Sequence, residues 1–345
     1  MRRVRQLARS NRPKARGLYL GNDMANGTIE QKLQRLDELP IDAKAFMPAL
    51  KKALASKHYR MLAKAAHLCQ VHYLDQCIPE LVAAYATLLL GDAVKKDRTC
   101  YAKTALCEAL YELNYVCEDF YLAGMRYRQM EPVWGGHVDS ALNIRRICAM
   151  GLTITRCPRM HVELLTVLYD EDASVRAGAV AAIACLQPGI AEPILRQKVL
   201  GGDEPWVLGA CFSALLQIEP DENIGFVVSF LNNENEELLE YAALSLGESR
   251  LNEAFAGLKQ AWVDCHLNSP KFHQMLLSGM VLHRSDAAYA HLLQVIQQDE
   301  RGLAAETLTQ LAIYRDNAAL KQQVRDLVSH AQRRDLSEVF AQRWG

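Results

Sequence analysis

The chain has 345 residues, too many for one small core, so the length predicts either two domains or one elongated repeat array. Half of the residues are hydrophobic and only 7% are aromatic, which favours closely packed helices with little or no strand. The formal net charge is −1. Because the amino terminus holds a cluster of cations, the rest carries about −8, which argues against a general nucleic-acid binder.

Residues 1–27 are interpreted as a basic, flexible arm. Its cations are Arg2, Arg3, Arg5, Arg9, Arg12, Lys14 and Arg16. Such an arm can contact nucleic-acid phosphates, an acidic protein surface or anionic lipid, or it can be a solvated terminus. It lacks the apolar stretch of a secretory signal, and nowhere do about 18 apolar residues run uninterrupted. We therefore expect a cytoplasmic protein without a membrane span.

Residues 28–128 are predicted to form longer helical repeats, with amphipathic helices that begin at Tyr59 and Tyr101. A metal site is suggested by His67, Cys69, His72 and Cys77. Only Cys69 and His72 share a helix face, and two ligands do not make a tetrahedral zinc site, so no metal or other cofactor is predicted. The ten cysteines are interpreted as small core residues in a reducing compartment.

Residues 129–138 contain Pro, Trp and a Gly-Gly pair between two predicted helices. A turn within a helix pair needs only 2–5 residues, so this segment is predicted to be an insertion loop. Insertions in repeat proteins collect on one edge and often bind partners. Met130, Trp134 and His137 are therefore candidate partner contacts, although Trp134 can instead fold back over the change in repeat length.

Residues 139–330 carry the regular repeat. Amphipathic helices of one phase are predicted to start at Leu142, Val175, Val207, Leu238, Phe272 and Leu303. The last five starts are 32, 31, 34 and 31 residues apart, within the range of solenoid repeats. Five further apolar helices precede them, at residues 161–169, 190–200, 224–231, 254–263 and 289–296. Residues 331–345 are predicted to be a capping helix.

Asp172, followed by Val175, Arg176, Ala179 and Ala182, resembles the second helix of a HEAT repeat. The resemblance implies an all-α solenoid of about seven to eight antiparallel helix pairs. In that family the Asp and Arg link adjacent repeats, but only this unit has both here. The segment from Met130 to Gly136 resembles uncharacterised bacterial HEAT-repeat proteins and implies no activity.

If the second helices line a concave face, as the resemblance implies, several polar residues between core positions should point outward. They are Arg60, Lys64, Asn143, Arg145, Arg146, Arg176, Glu240, Gln274, Arg284, Glu306, Gln310 and Arg315. Arg145, Arg146 and Arg176 are the preferred partner-binding candidates because they are nearest the insertion. A solvated charged face is the alternative interpretation.

No Gly-rich phosphate loop, nucleophile elbow or kinase motif occurs, and the His-Glu dipeptides of HEAT-like iron hydroxylases are absent. We therefore expect a binding scaffold and no enzyme, with a protein partner bound in the solenoid groove and at the insertion. The alternative is a nucleic-acid-binding HEAT-like protein, such as a DNA glycosylase-like repair factor, for which Arg145, Arg146, Arg176 and Trp206 supply fragments of a basic face.

Overall fold

The computed structural model describes residues 27–264, 270–299 and 302–345. Within those ranges the chain forms twenty α-helices and one two-stranded sheet, so the predicted all-α helical-repeat class is confirmed. None of the described helices combines the length and the apolar character that crossing a membrane requires. The chain divides into two units. One holds the described residues up to Tyr115 together with Arg128–Ile144, and the other holds Val116–Tyr127 and Arg145–Gly345.

The first unit consists of six helices and the small sheet. They are α1 (Ile29–Glu38), α2 (Phe46–Leu54), α3 (Tyr59–Val71), α4 (Ile78–Leu89), α5 (Ala93–Lys96), α6 (Tyr101–Glu112), β1 (Met130–Val133) and β2 (Gly136–Asp139). Helix α3 packs on α6, and α2 packs on α3 and α4. The predicted starts at Tyr59 and Tyr101 are the first residues of α3 and α6 and are confirmed.

The second unit is a row of helix pairs. Its helices are α7 (Glu118–Met125), α8 (Leu142–Thr153, which begins in the first unit), α9 (Met160–Leu168), α10 (Ala173–Ile183), α11 (Pro188–Gly201), α12 (Pro205–Ile218), α13 (Pro220–Val228), α14 (Glu236–Ser249), α15 (Asn252–Asp264), α16 (Pro270–His283), α17 (Asp286–Gln298), α18 (Ala304–Leu311), α19 (Ala318–Ala331) and α20 (Arg334–Arg343).

Alternate helices of the second unit stack in sequence, since α10, α12, α14, α16, α18 and α20 each pack on the next. The five predicted preceding helices overlap α9, α11, α13, α15 and α17, although the one predicted at 224–231 runs past the end of α13 at Val228. Helix α20 continues the row as the second member of a final pair. Trp344 behind it is buried and donates from Nε1 to Leu308 O at 3.0 Å.

Polar residues at the turns start several helices. Asp172 accepts hydrogen bonds from Ser174 N and Val175 N and is the N-cap of α10, as its sequence position indicates. Glu204 occupies the N-cap position of α12, before Pro205, and the neighbouring Asp203 carboxylate binds cations. Asn235 is the N-cap of α14, and its side chain accepts hydrogen bonds from Glu237 N and Leu238 N.

Small residues allow close approach of the stacked helices. A Cβ on Gly247 of α14 would lie 2.0 Å from Gly279 O of α16, and a Cβ on Gly279 would lie 2.4 Å from Ala243 O. These two helices therefore touch backbone to backbone, a contact that only glycine permits.

Candidate functional site

The predicted insertion loop at residues 129–138 is a β-hairpin. Strands β1 and β2 pair antiparallel, with Met130 opposite Asp139 and Val133 opposite Gly136. This leaves a two-residue turn at Trp134 and Gly135. Gly135 has φ +90°, the left-handed conformation that the third position of a type II turn requires. The expectation of a loop is therefore corrected to a defined secondary-structure element.

The hairpin carries exposed apolar side chains. Trp134 is 102% exposed at the turn, and Met130, Val133 and Val138 are each about half exposed. His137 is exposed as well. Thus Trp134 does not fold back onto the helices, and the predicted contacts Met130, Trp134 and His137 lie on one element. An apolar cluster of this kind marks a surface that can bind another molecule.

Glu131 fixes the base of the hairpin. Its side chain is buried, and Oε1 accepts hydrogen bonds from Thr99 N at 2.6 Å, Gln129 Nε2 at 2.8 Å and Ser140 Oγ at 2.6 Å. Burial alone would raise the pKa of Glu131, but the bonds from Ser140, Gln129 and Thr99 outweigh it and lower the pKa. The ionised carboxylate therefore holds both strands to the helices.

A buried ion pair lies next to the hairpin base, where Gln129 Nε2 donates to Asp97 O at 2.9 Å. Asp97 and Lys103 are both fully buried, and Lys103 Nζ lies 3.2 Å from Asp97 Oδ2. The carboxylate also accepts from Ala102 N and Lys103 N at the start of α6. Thr99 and Cys100 adopt left-handed backbone conformations between the pair and the hairpin. Since unpaired buried charges are costly, this network makes the hairpin base rigid.

The same network places three residue types found in nucleophilic catalysis next to each other. Cys100 Sγ lies 3.4 Å from Ser140 Oγ, which donates to Glu131. However, Cys100 is fully buried, and this burial raises the pKa of its thiol to about 11. A protonated, enclosed thiol is a poor nucleophile, so the cluster is interpreted as structural.

A groove of about 720 Å³ lies beside the hairpin base in the first unit. Its lining comes from α1, α3, α6 and the segments around them: Leu33, Gln34, Asp37, Arg60, Ala63, Lys64, His67, Gln70, Thr99, Tyr101, Thr104, Ala105, Glu108 and Asn143. The outward positions predicted for Arg60, Lys64 and Asn143 are confirmed, since all three line this groove.

The groove is polar and nearly balanced in charge. Arg60 pairs with Glu30 at 2.8 Å, and Lys64 pairs with Asp37 at 2.6 Å. Desolvation raises the pKa of Glu108, and the neighbouring charge of His67 opposes this effect. Because its cations have carboxylate partners, the groove is less suited to a phosphate backbone than to a peptide segment of mixed polarity.

Thr99 and Asn143 connect the groove to the hairpin. Thr99 lines the groove while its N–H binds Glu131, and Asn143 lines the groove in the first turn of α8, just after β2. Thr99 and Asn143 therefore link the groove to the base of the hairpin within the first unit, and we call the groove and the hairpin together the groove–hairpin surface. It includes Thr99, Tyr101, Trp134 and Asn143.

The prediction that Arg145 points outward is wrong. Its side chain is 2% exposed, Nε lies 3.0 Å from Asp170 Oδ2, and Nη1 donates to Tyr127 O. The buried face of α8 runs through Ile144, Arg145 and Cys148, one position away from the predicted phase. Because Asp170 supplies a carboxylate inside the core, the Arg145 guanidinium can be buried at a position that the helical pattern predicted to face solvent.

The side chain of Arg176 also forms an ion pair within the fold. It binds both oxygens of Asp203, at 2.8 Å from Nε and 2.5 Å from Nη2, and Lys198 reaches the same carboxylate at 2.6 Å. Burial would raise the pKa of Asp203, but the two cations lower it to about 2. Arg176 thus links α10 to the next helix pair. Arg146 is exposed, with its stem against Gly178.

The cations of the predicted basic arm, from Arg2 to Arg16, lie outside the described residues. Among the residues that are described, no group of three or more His, Cys, Asp or Glu side chains is arranged to hold a metal ion. Sequence reasoning missed Glu131 and Thr99, which determine where the hairpin lies. Tyr101, which the sequence predicts only as a helix start, is 56% exposed in the groove.

No protein-family model matches this chain, and no curated protein sequence matches it either.

Proposed function

We propose that this protein is a protein-interaction scaffold that binds a partner at the groove–hairpin surface. The observation that carries the proposal is Trp134, fully exposed on a hairpin whose base is held by the buried Glu131 network. An exposed tryptophan on a rigid support loses little conformational entropy on binding, and tryptophan is enriched among residues that dominate binding energy.

The groove supplies the second half of this surface. Its side-chain amides at Gln34, Gln70 and Asn143 have both donors and acceptors, which suits a peptide main chain. Tyr101 adds an exposed aromatic ring at the groove wall. A cytoplasmic location stays a prediction from the sequence.

The alternative of a nucleic-acid-binding, glycosylase-like protein also stays a prediction. Three of the residues that favoured it have partners within the fold. Arg145 binds Asp170, Arg176 binds Asp203, and the Trp206 indole donates to Glu204 at 2.8 Å. These contacts leave the basic arm as its main support.

Affinity capture with the tagged full-length chain tests the proposal. The wild type, Trp134→Ala and Leu200→Ala are compared by quantitative mass spectrometry, where Leu200 is an apolar residue of the second unit that is 68% exposed. We expect at least one protein to be captured by the wild type and Leu200→Ala and lost with Trp134→Ala. Equal recovery with all three chains contradicts the proposal.

A further inference from the structure

A cavity of about 590 Å³ lies in the first unit, and none of its lining residues lines the groove. Residues of α2, α3, α4 and α5 surround it. Its floor is apolar and contains the buried side chains of Leu54, Leu62, Ala84 and Leu88. This volume and this floor are typical of small-molecule sites, which combine an apolar lining with a few polar groups.

The cavity follows the direction of α4. Gln76, just before α4, lies 4.0 Å from the sulfur of Met47 in α2. Four residues further along each segment, Lys51 Nζ lies 2.6 Å from Glu80 Oε1. Helices α2 and α4 therefore run in the same direction, and the turn after α2 lies toward the carboxyl-terminal end of α4. Glu80 and Thr87, which both line the cavity, are about 10 Å apart along this helix.

The two ends of the cavity differ in charge. At the end nearer the start of α4, Lys51 pairs with Glu80, and this bond lowers the pKa of the Glu80 carboxyl. The pair is therefore ionised at neutral pH and carries no net charge. At the other end, Lys57 and Lys96 line the cavity, and neither has an ion-pair partner among the described residues. This second end is cationic.

The cationic end also holds hydrogen-bond donors. Lys96 Nζ donates to Thr87 O at 3.0 Å and to Leu90 O at 2.7 Å, which fixes the ammonium at the end of α4. An ammonium has three N–H groups, so one remains for a ligand. The Ser56 hydroxyl accepts from His58 N at 3.1 Å, and within the described chain its own hydrogen has no acceptor. Such donors bind an anion more strongly than a neutral group.

We propose that this cavity binds a small amphiphile with an anionic head and an unbranched apolar chain, the chemistry of a medium-chain carboxylate. The head lies between Lys57 and Lys96, where the charge is complementary to it. The chain lies on the leucine floor and ends near the neutral pair of Lys51 and Glu80. The length of about 10 Å between the two ends suits the extended chain of octanoate.

Titration of octanoate into the full-length chain with isotope-labelled leucine methyl groups tests the proposal by NMR. We expect saturable shift changes at Leu54, Leu62 and Leu88, with a dissociation constant of about 0.1–5 mM for a ligand of this size. Leu200, which is 68% exposed in the second unit, should not shift and is the control for non-specific contact. Octanol has the same chain without the charge and should bind at least about fivefold more weakly.

Lys57→Ala and Lys95→Ala are matched charge variants. Lys57 is exposed and lines the cavity, whereas Lys95 is 83% exposed, pairs with Asp92 and does not line it. Lys57→Ala should weaken octanoate binding about three- to tenfold and change octanol binding less than about twofold, because it removes charge only at the head. Lys95→Ala should change both affinities less than about twofold.

Ala83→Trp is the blocking variant. Ala83 lines the cavity and is exposed, so an indole can fill the space without disturbing the core. It should abolish the octanoate shifts and leave the circular dichroism spectrum unchanged.

The proposal is overturned by the absence of saturable shifts at the three leucines of the wild type, or by equal shifts at Leu200. It is also overturned by equal weakening in Lys57→Ala and Lys95→Ala, or by shifts that persist in Ala83→Trp. These measurements use the purified chain and a small molecule. Their outcome is therefore independent of whether a protein binds at Trp134.

Discussion

Replacing Gly247 with alanine should destabilise the second unit, because α14 and α16 meet at this residue backbone to backbone. The new Cβ would lie 2.0 Å from Gly279 O. A main-chain oxygen cannot change rotamer, so the helices must separate by about 1 Å or more to restore ordinary contact. We expect an overpacking cost of about 3 kcal/mol.

Part of this cost is offset, because alanine favours a helix over glycine by about 1 kcal/mol. The net loss is then about 2 kcal/mol, or about 4–8 °C in the unfolding midpoint of a unit of this size. Gly225→Ala is the matched control. Gly225 lies in α13, and nothing lies within 4 Å of its Cβ position.

The control should show the opposite sign. Gly225→Ala is expected to stabilise by about 0.5–1 kcal/mol, because alanine restricts the unfolded chain without steric conflict. Thermal unfolding followed by far-ultraviolet circular dichroism compares the two variants with the wild type. A neutral or stabilising effect of Gly247→Ala, or equal shifts for both variants, would refute the backbone contact between α14 and α16.

Three further predictions concern buried charges. Arg145→Ala leaves Asp170 buried without its guanidinium, and urea unfolding should show a loss of about 3–5 kcal/mol; a loss below about 1 kcal/mol contradicts the pair. The lowered folded-state pKa of Asp203, about 2, means that its ion pairs stabilise the fold above pH of about 4 and are lost as pH falls toward 2. The free energy of unfolding of the wild type should therefore fall by about 2 kcal/mol more across that pH window than it otherwise would, and Asp203→Asn should remove this extra dependence on pH. Glu131→Gln should weaken the hairpin base by about 1–3 kcal/mol, seen as faster hydrogen exchange at residues 130–139 with α14 unchanged.

The helices could be predicted because their apolar period is local. The predicted starts at Tyr59, Tyr101 and Leu142 are each the first residue of a helix, although the buried face of α8 is one position away from the phase predicted from Leu142. The groove lining at Arg60 and Lys64 follows from the same period, since these residues lie between the core positions of α3.

The hairpin could not be predicted in this way, because its apolar residues are exposed on both faces and show no alternation of buried and exposed positions. The glycine at 135 is a sequence feature that could have indicated a tight hairpin turn, since glycine readily adopts the left-handed conformation found there. The position of the hairpin depends on Glu131 and Thr99, which are 32 residues apart in the chain.

The burial of Arg145 depends on Asp170, which is 25 residues away in the sequence and belongs to the turn before α10. A helical pattern indicates which side of a helix is apolar, but a single cation at the edge of that side can be buried or exposed. The outcome is decided by whether a carboxylate from another element reaches it, and this is a tertiary property.

The proposed scaffold function is tested most directly by site-specific photocrosslinking from the groove. A photoreactive phenylalanine analogue at Tyr101, an exposed groove residue, should capture a discrete partner protein in cells. A Trp134→Ala substitution in the same chain should abolish that product, because the partner is proposed to contact both the groove and the hairpin. An undiminished crosslink in the Trp134→Ala chain would contradict the proposal. So would the absence of any crosslinked protein from the chain that retains Trp134.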